Sequence, residues 1–442
     1  MRDNAHERDS IIEKHKAQNH ESRLVRRVRM KIANVVSQNF YDTAGWPTLK
    51  VSIILDDETM FGAYAPLSWK KCIPNYAVLN HDEQFELKLK YLEKLSQFIE
   101  DEIRPLLVGK TLQLPDLDYL MSDLEIETHE PIAQASMLAI STAIYKACAY
   151  QERVELYELI AFLVSAETVT LPCPQCAVLA TENGQNLFKN ILIAPVGAPT
   201  LKEALQNVCG VWHALYTRIR HEALRYYVNQ DGSFIIPAYD EHQLLEFVVD
   251  VLKSKIGSNE TMCVVAIDGG QEHVYDEDAE GYLVHEKIMP SKEIINFYNE
   301  LIQTYPIYSL ENIFAEHDYE NWQILTETLG NKTQIIKHLE VFTDKEIHNH
   351  ALKNCATTLA INLHQFKTVT ECLQGILAAK KERFNVIIID DKNGTDDSFA
   401  VDLAVGTSAL QIKFGTLGKT CLALQYNRLL AIEETLRQTI TF

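Results

Sequence analysis

No stretch of this 442-residue chain holds 18 consecutive apolar residues, which excludes a bilayer-crossing helix. Positive charge is also in short supply. Forty-one Lys and Arg against 61 Asp and Glu leave a formal charge of −20, a surface that repels phosphodiester backbones and anionic lipid. Nucleic-acid and membrane partners are therefore not expected. Cysteine is scattered and odd in number, nine in all, and mostly lies inside apolar runs. That is how buried reduced thiols are used, so disulfides are not expected. The start of the chain lacks an apolar leader, with charge beginning at Arg2, and a cytoplasmic location is expected. In that compartment the Asn-x-Ser/Thr triplets at Asn259, Asn331 and Asn393 would carry no glycan.

What is present is an ordinary globular composition, 47% hydrophobic and 9% aromatic, at a length that suggests two or three domains. Residues 1–30 are polar with a basic cluster at Arg23, Arg26, Arg27 and Arg29. They read as an N-terminal extension, either a surface-packed tail or an arm that binds an unidentified protein partner. From "LKVSIIL" (49–55) the pattern is strand-like, and helical periodicity follows in residues 85–103 and 131–150. The second of these is apolar nearly all round, as a buried helix would be. Residues 31–165 thus read as a small α+β domain.

Beyond it, apolar strand candidates alternate with amphipathic helices. The strands are "CVVAID" (263–268), "IYSLE" (307–311), "TQIIK" (333–337), "TLAIN" (358–362), "NVIII" (385–389) and "ALQIK" (409–413). A strand roughly every 25 residues, each followed by a helix, is the signature of a parallel α/β sheet, and this many units favours a closed barrel over residues 166–442. Chemistry in such barrels gathers at the C-terminal ends of the strands. Those ends carry Asp268, Glu311, His338 one residue past its strand, Asn362, Asp390 with Asp391, and Lys413.

Several stretches, in order and spacing, carry a family likeness: "YDTAGWPT" (41–48), "LPCP" (171–174), "APVGAPTLKEAL" (194–205), "YPIYSLENIFAEHDYENW" (305–322), "DDSFAVDLAVG" (396–406), "QIKFG" (411–415) and "YNRLLAIEE" (426–434). Together they make the chain similar to the enolase (phosphopyruvate hydratase) family from Tyr41 to Glu434. The resemblance implies an N-terminal α+β lid domain followed by a modified TIM (β/α)8 barrel, commonly in a homodimer. In active members it also implies Mg²⁺-dependent interconversion of 2-phosphoglycerate and phosphoenolpyruvate.

The same resemblance assigns positions. Asp268 and Glu311 fall on two of the family's three metal carboxylates, and His338 on the third. Histidine suits Zn²⁺, Fe²⁺ or Mn²⁺ better than Mg²⁺, so another divalent metal, or none, is an open alternative. Asn362 stands where the family has its basic lysine, and Lys413 keeps the second lysine. In "NQDGSFIIP" (229–237) Gly232 takes the place of the acidic glutamate, and Asn190 replaces the partner glutamate. The family's mobile serine loop corresponds to "PLSWKKC" (66–72), with Ser68 or Lys70 near the serine. The loop that would carry a histidine after "LPCP" reads "ATENGQN" and has none. A substrate-gripping His-Arg-Ser run becomes Asp390, Asp391 and Lys392, and Lys413 is expected to pair with Asp390.

Three other motifs read as structural. Cys173 and Cys176 have redox spacing on a predicted strand, with no second pair for zinc. "GTLGKT" (415–420) imitates part of a phosphate loop but has Lys413 where a glycine is needed, and reads as a turn into the last helix that could still hold a phosphate. "DDKNGTDDS" (390–398) fails calcium-loop spacing and reads as a turn with Asp397 or Ser398 at a helix start. His348 and His350 are expected on a helix surface. The favoured expectation is an enolase-like protein that has lost hydratase chemistry and acts as a structural or binding module. A metal-dependent enzyme of altered chemistry using Lys413 as acid or base, and a divergent but active enolase, are the alternatives.

Overall fold

The computed structural model describes residues 29–65, 79–124, 131–181, 186–237, 239–256, 263–270, 275, 276, 279, 281–339, 342–390 and 394–440. The chain opens with an antiparallel sheet of β1 (Ile32–Tyr41), β2 (Pro47–Leu55) and β3 (Met60–Tyr64) in that order. The β1–β2 turn is set by Asp42, whose Oδ1 accepts the Ala44 and Trp46 amides at 2.8 and 2.9 Å, and by Gly45 at φ +79°. Aspartate closing its own turn is a local preference that needs no tertiary support.

Helix α1 (His81–Phe98) starts in a reciprocal cap between Asn80 and Glu83 and runs through a π turn (Ile99–Ile103) into α2 (Arg104–Leu107). After α3 (Asp116–Ser122) come α4 (Pro131–Glu152) and α5 (Leu156–Leu163). Helix α4 is the expected all-round apolar helix, and the fold gives the reason. It packs on β2 and β3 on one side and on a barrel helix, α11 below, on the other, so little of it is left to water before its last turn, where Tyr150 is exposed.

The barrel begins with β4 (Cys173–Pro174) and β5 (Cys176–Ala180), then β6 (Asn190–Ala194), helix α6 (Leu201–His221), β7 (Tyr227–Val228), β8 (Phe234–Ile235), α7 (Glu241–Ile256) and β9 (Val264–Asp268). A three-stranded excursion, β10 (Tyr275–Asp276), β11 (Gly281–Val284) and β12 (Lys287–Met289), precedes α8 (Ser291–Thr304). Regular alternation follows: β13 (Ile307–Glu311), α9 (Tyr319–Leu329), β14 (Gln334–His338), α10 (Asp344–Leu352), β15 (Thr358–Asn362), α11 (Val369–Lys381), β16 (Asn385–Ile389), α12 (Phe399–Gly406), β17 (Gln411–Lys413) and α13 (Thr420–Ile440). The six strands read from the sequence all lie within a residue or two of these limits. His338 is the last residue of its strand rather than one beyond it.

The sheet closes on itself because β4 and β5 are one bent strand interrupted at Gln175. Its first half pairs parallel with β17 and its second half antiparallel with β6. Strand β6 also runs antiparallel to β9, and the remaining neighbours from β9 through β13, β14, β15 and β16 to β17 are parallel. Strand alternation points every second side chain inward. Ala177, Leu192 and Ala266 fill one part of the interior, and Ile336, Ala360 and Ile387 another. Two residues further toward the mouth, four of these rows end in Asn190, Asp268, His338 and Asn362, and Glu311 and Lys413 end the neighbouring strands β13 and β17.

The first domain is fastened to this mouth by polar contacts. Lys146 of α4 pairs with Asp397 at 2.8 Å, the Thr43 amide donates to the Gly394 carbonyl at 2.9 Å, and buried Asp118 accepts from Ser141 Oγ and the Thr370 amide. No helix of the described residues is long and apolar enough to cross a membrane.

Candidate functional site

Because strands β9 and β13 are in register with Asp268 opposite Glu311, their terminal carboxylates stand side by side on the inner surface. Lys413 reaches them from β17, its Nζ 2.8 Å from Asp268 Oδ2 and 2.9 Å from Glu311 Oε1. His338 Nε2 lies 2.5 Å from the same Glu311 oxygen. Asp268 also accepts the Gly270 amide through Oδ1 at 3.1 Å. Four strand-end residues, from β9, β13, β14 and β17, thus form one ion-pair cluster.

Burial is the largest influence and would raise both carboxyl pKa values, but the Lys413 ammonium acting together with Lys189 and His338 at Asp268, and with His338 at Glu311, outweighs it and holds both below the usual carboxylate range. Burial would likewise lower Lys413 and His338. Asp268 and Glu311 instead push the lysine up, and the hydrogen bond to Glu311 pushes the histidine up. Each oppositely charged pair therefore stabilises the charged forms of both its members, whereas Lys413 opposes protonation of His338 and Asp268 opposes ionisation of Glu311.

This corrects one expectation. Lys413 does not pair with Asp390; the two share only a long backbone contact, the Asp390 amide to the Lys413 carbonyl at 3.4 Å. The Asp390 carboxylate faces away from the lysine, with Oδ1 3.5 Å from His364 Nε2 and Oδ2 3.3 Å from Gln425 Nε2. Strand alternation is the cause. Lys413 points along the interior to β9 and β13, while Asp390, just past β16, leans toward α13 and the first domain.

Asp390 borders a cavity of about 70 Å³ between that domain and the barrel, also lined by Tyr64, His364, Asp397, Phe414 and Gln425. Asp391, Lys392, Ser68, Lys70 and part of "ATENGQN" lie outside the described residues.

Asn362 is buried at the end of β15, and its side chain serves the backbone. Its Oδ1 accepts the His364 amide at 3.0 Å, and Gln365 Oε1 accepts the Asn362 amide at 3.3 Å, a reciprocal cap on the 3-10 turn Leu363–Gln365. Asn190, buried opposite Asp268 in the β6–β9 register, has an Oδ1 with no hydrogen-bond partner among the described residues.

Gly232 sits at φ +79° in a tight turn packed on Thr416, where a Cβ would lie 2.5 Å from the threonine Cγ2. The carboxylate of that turn belongs to the preceding residue, Asp231, which sequence reasoning passed over. Asp231 is buried and accepts from the Ser233 amide at 3.0 Å and from Ser233 Oγ at 2.5 Å. An Asp two residues before a Ser, after a Gln and before a Gly, was the available signal, since Asx turns recur in that pattern.

Mg²⁺ fits these residues poorly. It demands near-octahedral oxygen ligation, whereas the third position here is an imidazole and the nearest oxygens of Asp268 and Glu311 already hold an ammonium. Among the described residues no group of three or more His, Cys, Asp or Glu side chains is placed to hold a metal ion.

The other motifs resolve simply. Cys173 and Cys176 are unpaired, as are all the described cysteines, and burial pushes both thiols up to about 12. "GTLGKT" is the turn from β17 into α13, and Asp397 Oδ1 accepts the Phe399 amide at the start of α12, as expected. His348 is exposed and pairs with Glu382 at 3.0 Å. His350 reverses its expectation. It lies on the inner face of α10, is fully buried, and its ring is 4.9 Å from that of Tyr319.

Comparison with family models gives two matches. Residues 32–160 match the enolase N-terminal domain, and residues 168–442 match the enolase C-terminal TIM barrel domain.

Proposed function

This chain belongs to the enolase family, and from that premise we propose that it is a member without phosphopyruvate hydratase chemistry, acting as a binding or structural module. The observation that carries the reading is Asn362. The hydratase reaction needs a base to take the proton from the carbon beside the carboxylate, and an amide cannot do so. At this position the side chain is moreover committed to capping its own turn.

Magnitudes support the same reading. Loss of a positioned base costs about 10² to 10⁴ in rate, and loss of the acid at the Gly232 position compounds it, though not additively. Asp390 stands where the family resemblance places a substrate-gripping group, and its carboxylate, turned to His364 and Gln425, offers an anion neither a positive charge nor a donor. Base, acid and anion grip are thus altered together. A cytoplasmic homodimer is part of the proposal and follows from the family resemblance.

The test is a coupled assay of 2-phosphoglycerate dehydration with the purified full chain and Mg²⁺. Turnover below about 10⁻² per second is expected. Turnover near the 10 per second typical of enzymes would overturn the reading.

A further inference from the structure

We propose that the Lys413 ammonium takes the place of a divalent cation in this barrel mouth, so that the chain binds no divalent ion between Asp268 and Glu311. The inference rests on the reading above and deepens it by giving the altered site a self-contained electrostatic design.

Three observations carry it. The first is steric. Lys413 Nζ is 2.8 Å from Asp268 Oδ2 and 2.9 Å from Glu311 Oε1, the hydrogen-bond distances of a charge-assisted pair. Mg²⁺ held through these same two oxygens would need them at about 2.0 to 2.1 Å, a space the ammonium already fills, and Asp268 Oδ1 is engaged by the Gly270 amide. The second is the donor set. His338 Nε2 is turned to the Glu311 oxygen at 2.5 Å rather than held with its lone pair toward an open position. A metal-ligating imidazole would have to release that contact.

The third is charge. Asp268 and Glu311 are 5% and 1% exposed, so their anions need compensation close at hand, and Lys413 touches both. Asn190, in register beside Asp268, adds a neutral amide there instead of a further carboxylate. A divalent ion entering this cluster would leave it with excess positive charge, which only the partly exposed Lys413 and His338 could share with water.

The experiment measures Mn²⁺ bound per chain, by equilibrium dialysis with electron paramagnetic resonance, for the full chain, Lys413→Met and Asp268→Asn. The wild-type chain is expected to bind no Mn²⁺ at the mouth below about 1 mM free ion, and its melting temperature to be unmoved by Mn²⁺, Mg²⁺ or EDTA. Lys413→Met is expected to gain one Mn²⁺, with a melting temperature that rises as the ion is added. Wild-type binding of Mn²⁺ that Asp268→Asn abolishes would overturn the proposal. So would a folded Lys413→Met that gains none. Should Lys413→Met not fold, the comparison of wild type with Asp268→Asn decides alone. The hydratase assay separates the two claims: an inactive chain that binds Mn²⁺ here defeats only this inference, and an active chain that binds none defeats only the preceding reading.

Discussion

Lys413 Nζ and Asp268 Oδ2 stand 2.8 Å apart across the mouth of the barrel, joining the last strand to the third position around the ring. With Glu311 at 2.9 Å the lysine bridges two buried carboxylates. Removing one partner of such a set leaves an uncompensated charge, so Lys413→Met should lose about 3 to 5 kcal/mol in urea unfolding without added metal. A loss below about 1 kcal/mol would mean that the cluster is solvated and weakly coupled.

Asn362 makes a separable prediction. Its cap on the 3-10 turn is a local hydrogen bond, so Asn362→Ala should cost about 1 kcal/mol in chemical denaturation. Asn362→Lys should not create measurable 2-phosphoglycerate dehydration, because Gly232 and Asp390 are unchanged. Appearance of that activity would show that the base alone had been missing.

His350 should govern part of the response to acid. Burial, reinforced by Lys337 and Lys353, pushes its pKa down to about 3, against about 6.5 in the unfolded chain. Below pH 6.5 the unfolded chain therefore binds a proton that the native state refuses. The stability contributed is complete above about 6.5 and is lost as pH falls toward 3. His350→Leu should accordingly gain on wild type by up to about 4 kcal/mol between pH 7 and pH 3. Denaturation curves at several pH values read this directly, and a constant difference would refute it.

Lys337 acts at the other end of the scale. It lies on the outer side of β14 with no exposure, donating to the Glu316 carbonyl at 2.6 Å, its Nζ 4.7 Å from the Trp322 ring centre. Burial pushes its pKa down to about 8, so between pH 8 and about 10.4 the unfolded chain holds more protons. Native stability should rise across that window by about 3 kcal/mol through this group, and Lys337→Met should abolish the rise. An identical slope in wild type and variant would count against the assignment.

Much of the fold could be read in one dimension. Apolar runs such as "NVIII" and "TLAIN" can be little other than barrel strands, and the caps that start helices, Asn80 with Glu83 and Thr368 before Val369, are local chemistry. That polar residues end six strands was equally plain, because strand length and composition are properties of short segments.

Pairing within the mouth was not. Which charges meet depends on how the strands slide past one another when the sheet closes, a quantity that no short segment carries. The β9–β13 register sets Asp268 beside Glu311, and the interior row of β17 aims Lys413 at them rather than at nearby Asp390. Helix packing decided in the same way that His350 is buried while His348, two residues before it, is not. The sequence by itself determined the elements and the chemical character of their ends. Only the closed barrel decided that the lysine would neutralise two acids, because that needs groups 102 and 145 residues apart brought within 3 Å.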